Sequence, residues 1–451
     1  MSRKIEDRFS EKLKKSNEIL ERAKKALLSP VATGPFRAPK GVAFIKKASG
    51  SKLIDFDGNE YVDVTMGYGT LILGHGHPVV VEAAERAIRN GTVYDIAHEN
   101  EVRLAELMVD AIPCAERVAF ANSGTEATMH AMKVARARTG KDKIAKFEGG
   151  YHGVHDYAQV SSIFSVGSGE EEAPLSVADT RGIPQAAVDQ VITLAYNRPE
   201  SLERIRKHKD ELAAVIIEPV PSILPIDMGD FLKELREVTR ECGVLLIFDE
   251  VISGFRLSYG GAQAHFGVTP DMATYGKIIG GGFPVGAIAG SVDALQPLIT
   301  SGNFFQDIAE KCAIVGTFSG NPVTTSVGAS VLEYLRDHPE TYDYIDGQAS
   351  RIKREMRKFA VENEFEFQLI GLSSWFVSHF CWGAPKSPRD LVSPEGWLKG
   401  TAFGNYMRYH GVYLPDLHTV FMSAAHTEKD VDKIIDVMKT SLIEIKEDGV
   451  L

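Results

Sequence analysis

The chain has 451 residues, 44% of them hydrophobic and 25% charged, with 50 Lys+Arg against 61 Asp+Glu and a formal net charge of −11. That length buries several cores without disulfides or metals to staple them, and the acidic balance argues against a general nucleic-acid binder, which needs a basic face. The four cysteines (Cys114, Cys242, Cys312 and Cys381) form no C-x-x-C, so neither a disulfide framework nor a thiolate metal site is expected, and a reducing compartment fits best.

The first residues, Met1 to Arg8, lead into more charge and not into an apolar segment, so no secretory signal is expected. No apolar run approaches the roughly 18 residues of a membrane span; the expectation is a soluble, cytoplasmic protein. Residues 1–30 predict one amphipathic helix, with Ile5, Phe9 and Leu13 four apart. Residues 40–65 predict a small β-meander turning at Asp57-Gly58-Asn59. From about 76 to 325, short apolar strands (Val118–Ala121, Ala213–Glu218, Val244–Asp249, Val285–Gly290) alternate with helical stretches, which predicts an α/β architecture with a mainly parallel sheet. Residues 167–174 read as a polar, mobile loop. Beyond about 330 lie a helix carrying Ile352, Met356 and Phe359, a Pro-rich stretch near Trp375, Trp382 and Trp397, and a closing helix opened by the box Thr427-x-x-Asp430. The division expected is 1–75 (helix and part of a small domain), 76–330 (large domain) and 331–451 (small α+β domain).

Ligands of parallel sheets gather outside the carboxyl ends of the strands. After 118–121 comes Asn122-Ser-Gly-Thr-Glu-Ala-Thr128 and then a helix, which offers either an anion cradle at a helix N-terminus or simple capping. Asp249 ends a buried strand and needs a cation, a metal or a strong donor. The surrounding string resembles a Walker B segment, but G-x-x-x-x-G-K-[ST] is absent: Gly140-Lys141 precedes Asp142, and Gly276-Lys277 precedes Ile278. The dinucleotide fingerprint fails too, for lack of its third glycine. Lys277, set among apolar and glycine residues, is either a surface charge or a desolvated amine able to form a Schiff base. The pairs His75/His77 and His152/His155 have metal spacing but no third ligand, so satisfied loop histidines and no metal are expected. A phosphate cradle, a buried carboxylate and a buried lysine together fit pyridoxal 5′-phosphate.

Over about residues 40–440 the sequence resembles the class III pyridoxal-phosphate aminotransferases, in the branch of glutamate-1-semialdehyde aminomutases and related β-amino-acid and D-arylglycine transaminases. The motifs that carry the resemblance are Asp57-Gly-Asn59, Gly74-His-Gly-His-Pro78, Ser123-Gly-Thr125, Tyr151-His-Gly153, Glu218-Pro-Val220, Asp249 to Arg256, Gly276 to Gly282 and Gly316 to Pro322. The resemblance implies fold type I, with a mainly parallel seven-stranded sheet in a large cofactor-binding domain and a smaller α+β domain. It implies that Lys277 is the Schiff-base lysine and proton carrier and that Asp249 partners the pyridinium nitrogen. Ser123, Gly124 and Thr125 would hold the phosphate, Tyr151 and Val251 would flank the ring, and Glu218 would sit near the cofactor. Thr317 would reach the phosphate in the other subunit, implying a homodimer with shared active sites.

Two stretches depart from the aminomutase pattern. Ser29 to Arg37 displaces the substrate-carboxylate arginine, with Arg37 the substitute expected, and His418 stands where aminomutases tend to have glutamate. Both favour a ping-pong aminotransferase that moves an amino group from an amino acid (a β-amino acid or unusual amine) to a carbonyl acceptor. The alternative is intramolecular transfer of the aminomutase type. A non-catalytic relative is a third reading, against which the intact Lys277, Asp249 and Thr317 argue.

Overall fold

The computed structural model describes residues 2–29, 42–391, 393–415 and 419–450. Arg37 and His418 lie outside these residues.

The largest sheet has seven strands in the order Arg117–Ala121, Gly286–Gly290, Met272–Gly276, Leu245–Asp249, Leu212–Ile217, Lys143–Phe147 and Val191–Leu194. Only Gly286–Gly290 runs against its neighbours, pairing antiparallel with the strands on both sides. An interior strand explains the arrangement: all of Leu212–Ile217 is 0% exposed, as an uninterrupted apolar run requires when helices cover both sheet faces. On one face, helix Gly124–Thr139 approaches through Ala127, Ala131 and Ala135 against Ala213, Ala214 and Ile247. Those small side chains let backbone meet backbone closely. On the other face Phe147, Val215 and Phe248 pack with Leu232 and Leu235 of helix Gly229–Cys242.

The predicted meander is present. Ile45–Ser49, Lys52–Asp55 and Glu60–Asp63 pair antiparallel, and Val412–Tyr413 joins them from the far end of the chain. A three-stranded sheet, Gln368–Leu372, Trp375–His379 and Val420–Phe421, sits with helices Glu340–Glu362, Pro394–Tyr409 and Glu428–Glu447. The expected Thr427–Asp430 capping box opens the last of these, and Asp430 also takes a hydrogen bond from Ser51 (2.8 Å) and an ion pair from Lys52, tying the two ends of the chain together.

Two expectations change. The single N-terminal helix is two, Ser2–Lys12 and Lys14–Ala26, broken at Leu13. The turn residue Asp57 accepts from the amides of Lys15 (2.6 Å) and Ser16 (2.9 Å) and from Ser16 Oγ (2.7 Å), so it satisfies the first turn of the second helix. The 167–174 loop is also tethered: Arg389 donates to the carbonyls of Ser168, Gly169 and Glu170 and pairs through two nitrogens with the buried Glu148.

Candidate active site

Five loops that follow strands of the large sheet converge at its carboxyl edge. After Arg117–Ala121, Ser123 caps helix Gly124–Thr139, its hydroxyl accepting from the amide of Glu126 at 3.1 Å. The amides of Gly124 and Thr125 lie in the first turn, where no intrahelical acceptor exists and the helix dipole is positive. Glycine is required at 124. A Cβ there would stand 2.9 Å from Cγ1 of Val251, and one on Gly276 would stand 3.3 Å from the same atom. The cradle, Val251 and the residue before Lys277 therefore meet at contact distance. Gly286, on the reversed strand, closes the back, since a Cβ there would lie 2.1 Å from the Ser123 carbonyl oxygen.

Lys277 follows directly on strand Met272–Gly276. Its φ of 49° is left-handed, a conformation that a lysine adopts only where its surroundings hold it there. The side chain is half-buried, and no ion pair engages its Nζ among the described residues. Burial pushes its pKa down, with Arg256 acting in the same direction, while Asp249 and Glu218 oppose. A larger share of neutral amine is the consequence.

Asp249 ends strand Leu245–Asp249 and is 5% exposed. One carboxylate oxygen accepts from Thr274 Oγ1 (3.0 Å) and the Val251 amide (3.2 Å), and the other from His152 Nδ1 (2.7 Å). His152 is itself 1% exposed. Burial lowers its pKa against the pull of Asp249, so it is a neutral imidazole whose proton sits on Nδ1. Glu218, 4% exposed, accepts from the Tyr151 amide (3.0 Å) and Ser222 Oγ (3.3 Å). Burial, and secondly the charge of Asp249, push its pKa up to about 8. Tyr151 stands at the cleft, 36% exposed. Gly153 seals the loop onto the cradle, because a Cβ there would be 2.5 Å from Thr125 Oγ1.

The structure thus brings together Ser123, Gly124, Thr125, Tyr151, Glu218, Asp249, Val251 and Lys277. It does not bring Thr317 into their contact shell. Thr317 is exposed, on a turn anchored beside the cradle by Asn122 Nδ2 donating to Ser319 Oγ at 3.2 Å. Two residues that grip Asp249 escaped the sequence reading, His152 and Thr274. The signal available for His152 was its place inside the Tyr151-His-Gly153 motif. No group of three or more metal-ligating side chains occurs among the described residues.

A helix N-terminus with first-turn amides, a glycine that leaves room for one more group, an amine that forms no ion pair among the described residues and a carboxylate held at the base fit pyridoxal phosphate. They define a cofactor-dependent site of the Schiff-base type. Comparison with known proteins agrees. The class III aminotransferase profile matches residues 36–366, and the chain belongs to that family. It is 37% identical over 437 residues to the glutamate-1-semialdehyde 2,1-aminomutase of Methanothermobacter thermautotrophicus, covering 96% of this chain and 100% of that one. Among solved structures, an omega-transaminase from Sphaerobacter thermophilus superposes with a TM-score of 0.89 at 34% identity, covering 95% of this chain and 97% of the other. A β-phenylalanine aminotransferase from Variovorax paradoxus gives 0.86 at 27% identity, covering 100% and 98%. The protein is a pyridoxal-phosphate-dependent enzyme of fold type I.

Proposed function

We propose that this enzyme is an intermolecular aminotransferase that takes an amino group from a β-amino acid or unusual amine and delivers it to a separate carbonyl acceptor. The observation that carries aminotransfer is the juxtaposition of a half-buried Lys277, free of ion pairs among the described residues, with a buried Asp249 held by three donors. Bound pyridoxal phosphate supplies an electron sink for negative charge developing on the substrate carbon. Lys277 Nζ, biased toward its neutral form, would be the amine that holds the cofactor and the base that moves a proton at the substrate carbon. Asp249 would hold the protonated ring nitrogen, and His152 keeps that carboxylate in place. The amides of Gly124 and Thr125, with the hydroxyls of Ser123 and Thr125, receive the phosphate. Val251 and Tyr151 would flank the cofactor, and Glu218, largely protonated at neutral pH, would add a neutral donor beside it. Arg37 would anchor the substrate carboxylate by a two-pronged contact.

Two copies form the working unit. Phe304, Phe305, Ile308, Val315 and Phe318 are 59–89% exposed around the exposed Thr317, an apolar concentration that a free surface seldom carries. A second copy would cover it and receive Thr317 at its own phosphate site.

The departures at Arg37 and His418 and the likeness to the two transaminase structures support intermolecular transfer. The full-length relatedness to an aminomutase supports the second reading, in which the amino group returns to the same carbon skeleton. In that case donor alone releases no carbonyl product. Lys277→Ala tests the chemistry common to both. We expect turnover to fall by at least about a thousandfold, since nucleophile and proton carrier are lost together, and borohydride reduction to fix no cofactor covalently. Retention of normal turnover would sink the assignment.

A further inference from the structure

Arg256 lies outside the contacts that build the site, yet its side chain is 0% exposed and no carboxylate pairs with it among the described residues. Its donors go instead to three distant parts of the chain. Nη2 donates to the Gly69 carbonyl (2.8 Å), and Nη1 donates to the Met422 carbonyl (3.1 Å) and to Ser374 Oγ (3.3 Å). The Phe421 ring lies beneath the guanidinium, 5.2 Å from its central carbon. A buried, unpaired cation is strongly unfavourable unless its geometry does something an apolar residue cannot.

That geometry serves an unusual stretch of backbone. Met66, Gly67, Tyr68 and Gly69 have φ values of 46°, 62°, 57° and 84°, four left-handed residues in a row, two of them not glycine. Such strain persists only where neighbours over-determine it. Asp63 fixes the start, its Oδ1 accepting from the amides of Thr65 (2.9 Å) and Met66 (3.1 Å). Arg256 fixes the end through Gly69, which sits so close to Phe421 that a Cβ would be 2.9 Å from the ring. The arch packs against the turn Lys277–Gly280, and a Cβ on Gly282 would lie 3.1 Å from Leu71. Tyr68 is near enough to Tyr151 to oppose its ionisation, after the larger effect of burial.

We propose that Arg256 is a positioning residue whose guanidinium locks the left-handed arch 66–69 onto the turn bearing Lys277, fixing one wall of the cleft through which the amino donor reaches Nζ. Its planar fork reaches carbonyls in two directions, which the point charge of a lysine does less well. The role of the cleft rests on the aminotransferase reading; the locking of the arch does not.

The test compares holoenzyme loaded with pyridoxal phosphate as wild type, Arg256→Met, Arg256→Lys and Arg236→Met. The last breaks a partly buried ion pair with Asp271 (2.6 and 2.9 Å) on the helix Gly229–Cys242 and controls for general destabilisation. Amide hydrogen exchange over residues 66–71 should quicken at least about tenfold in Arg256→Met, less in Arg256→Lys, and not in Arg236→Met. Lys277 feels Arg256, Asp249 and Glu218. Removing the cation should therefore raise the pH midpoint of the bound cofactor's visible absorption, with the midpoint restored in Arg256→Lys. Unchanged exchange of the arch in Arg256→Met, or equal loosening in Arg236→Met, overturns the proposal. If Arg256→Met does not fold, Arg256→Lys against Arg236→Met decides by the same exchange criterion. A wild type that binds cofactor but turns over no donor would refute the aminotransferase reading while the exchange data still judge Arg256.

Discussion

Two carboxylates and one amine crowd the bottom of the cleft, and burial shifts Glu218 and Lys277 toward their neutral forms. Asp249 is gripped by a neutral His152, Thr274 and the Val251 amide, whereas Glu218 is pushed up to about 8. The sign of the stability effect follows. Below its usual value of 4.5, Glu218 is protonated folded or unfolded; between that value and about 8 only the folded state holds the proton, so stability declines as pH rises through this window and then levels. In cofactor-free protein, the melting temperature of wild type should fall between pH 4.5 and 8, and Glu218→Gln should remove that part of the decline. An unaltered pH profile in Glu218→Gln would mean that the carboxylate is not held protonated. At this scale Asp249 and the cradle were legible because one ends and the other follows an apolar run, and Lys277 because it stands alone among apolar and glycine residues. His152 was not, because its partner is 97 residues away and no local spacing encodes such a contact; beside His155 it looked only like half of a metal pair.

Among the elements, the decisive meeting is that of helix Gly124–Thr139 with the turn after Leu245–Asp249. Val251 is β-branched and stiff, and a Cβ on Gly124 would come 2.9 Å from its Cγ1. Gly124→Ala should weaken pyridoxal phosphate binding roughly tenfold, or about 1.4 kcal/mol, read by titrating the cofactor absorbance. Adding Val251→Ala should recover most of that loss if the clash is the cause. Alternation of apolar runs announced this sheet and four of its strands to within a residue or so at each end. It could not announce that Gly286–Gly290 runs backwards, since an apolar run has no direction, nor that Asp57 would divide the N-terminal helix by capping its second half from another element. The Thr427–Asp430 box was legible because both of its partners are local.

For the whole molecule, a single copy leaves Phe304, Phe305, Ile308, Val315 and Phe318 largely exposed beside Thr317. Phe305→Asp should convert a dimer to monomer in sedimentation velocity and loosen the cofactor with it, because each phosphate site would lose the partner's threonine. A variant that stays dimeric, or a monomer that retains full cofactor affinity, would contradict the shared-site arrangement. Self-association is an expectation that rests on family resemblance, since the exposed phenylalanines scatter through residues 304–318 without a period of their own. The substrate is the least legible property, because Arg37 and His418 mark the stretches where the sequence leaves the aminomutase pattern. The most direct test is the absorption spectrum of the holoenzyme titrated with α-amino, β-amino and D-aryl amino acids and with glutamate-1-semialdehyde. Intermolecular aminotransfer requires that one donor class, with β-amino acids foremost, discharge the cofactor's visible absorption and release one equivalent of free carbonyl product per site. Silence toward every donor, with glutamate-1-semialdehyde isomerised and no carbonyl released, would contradict it.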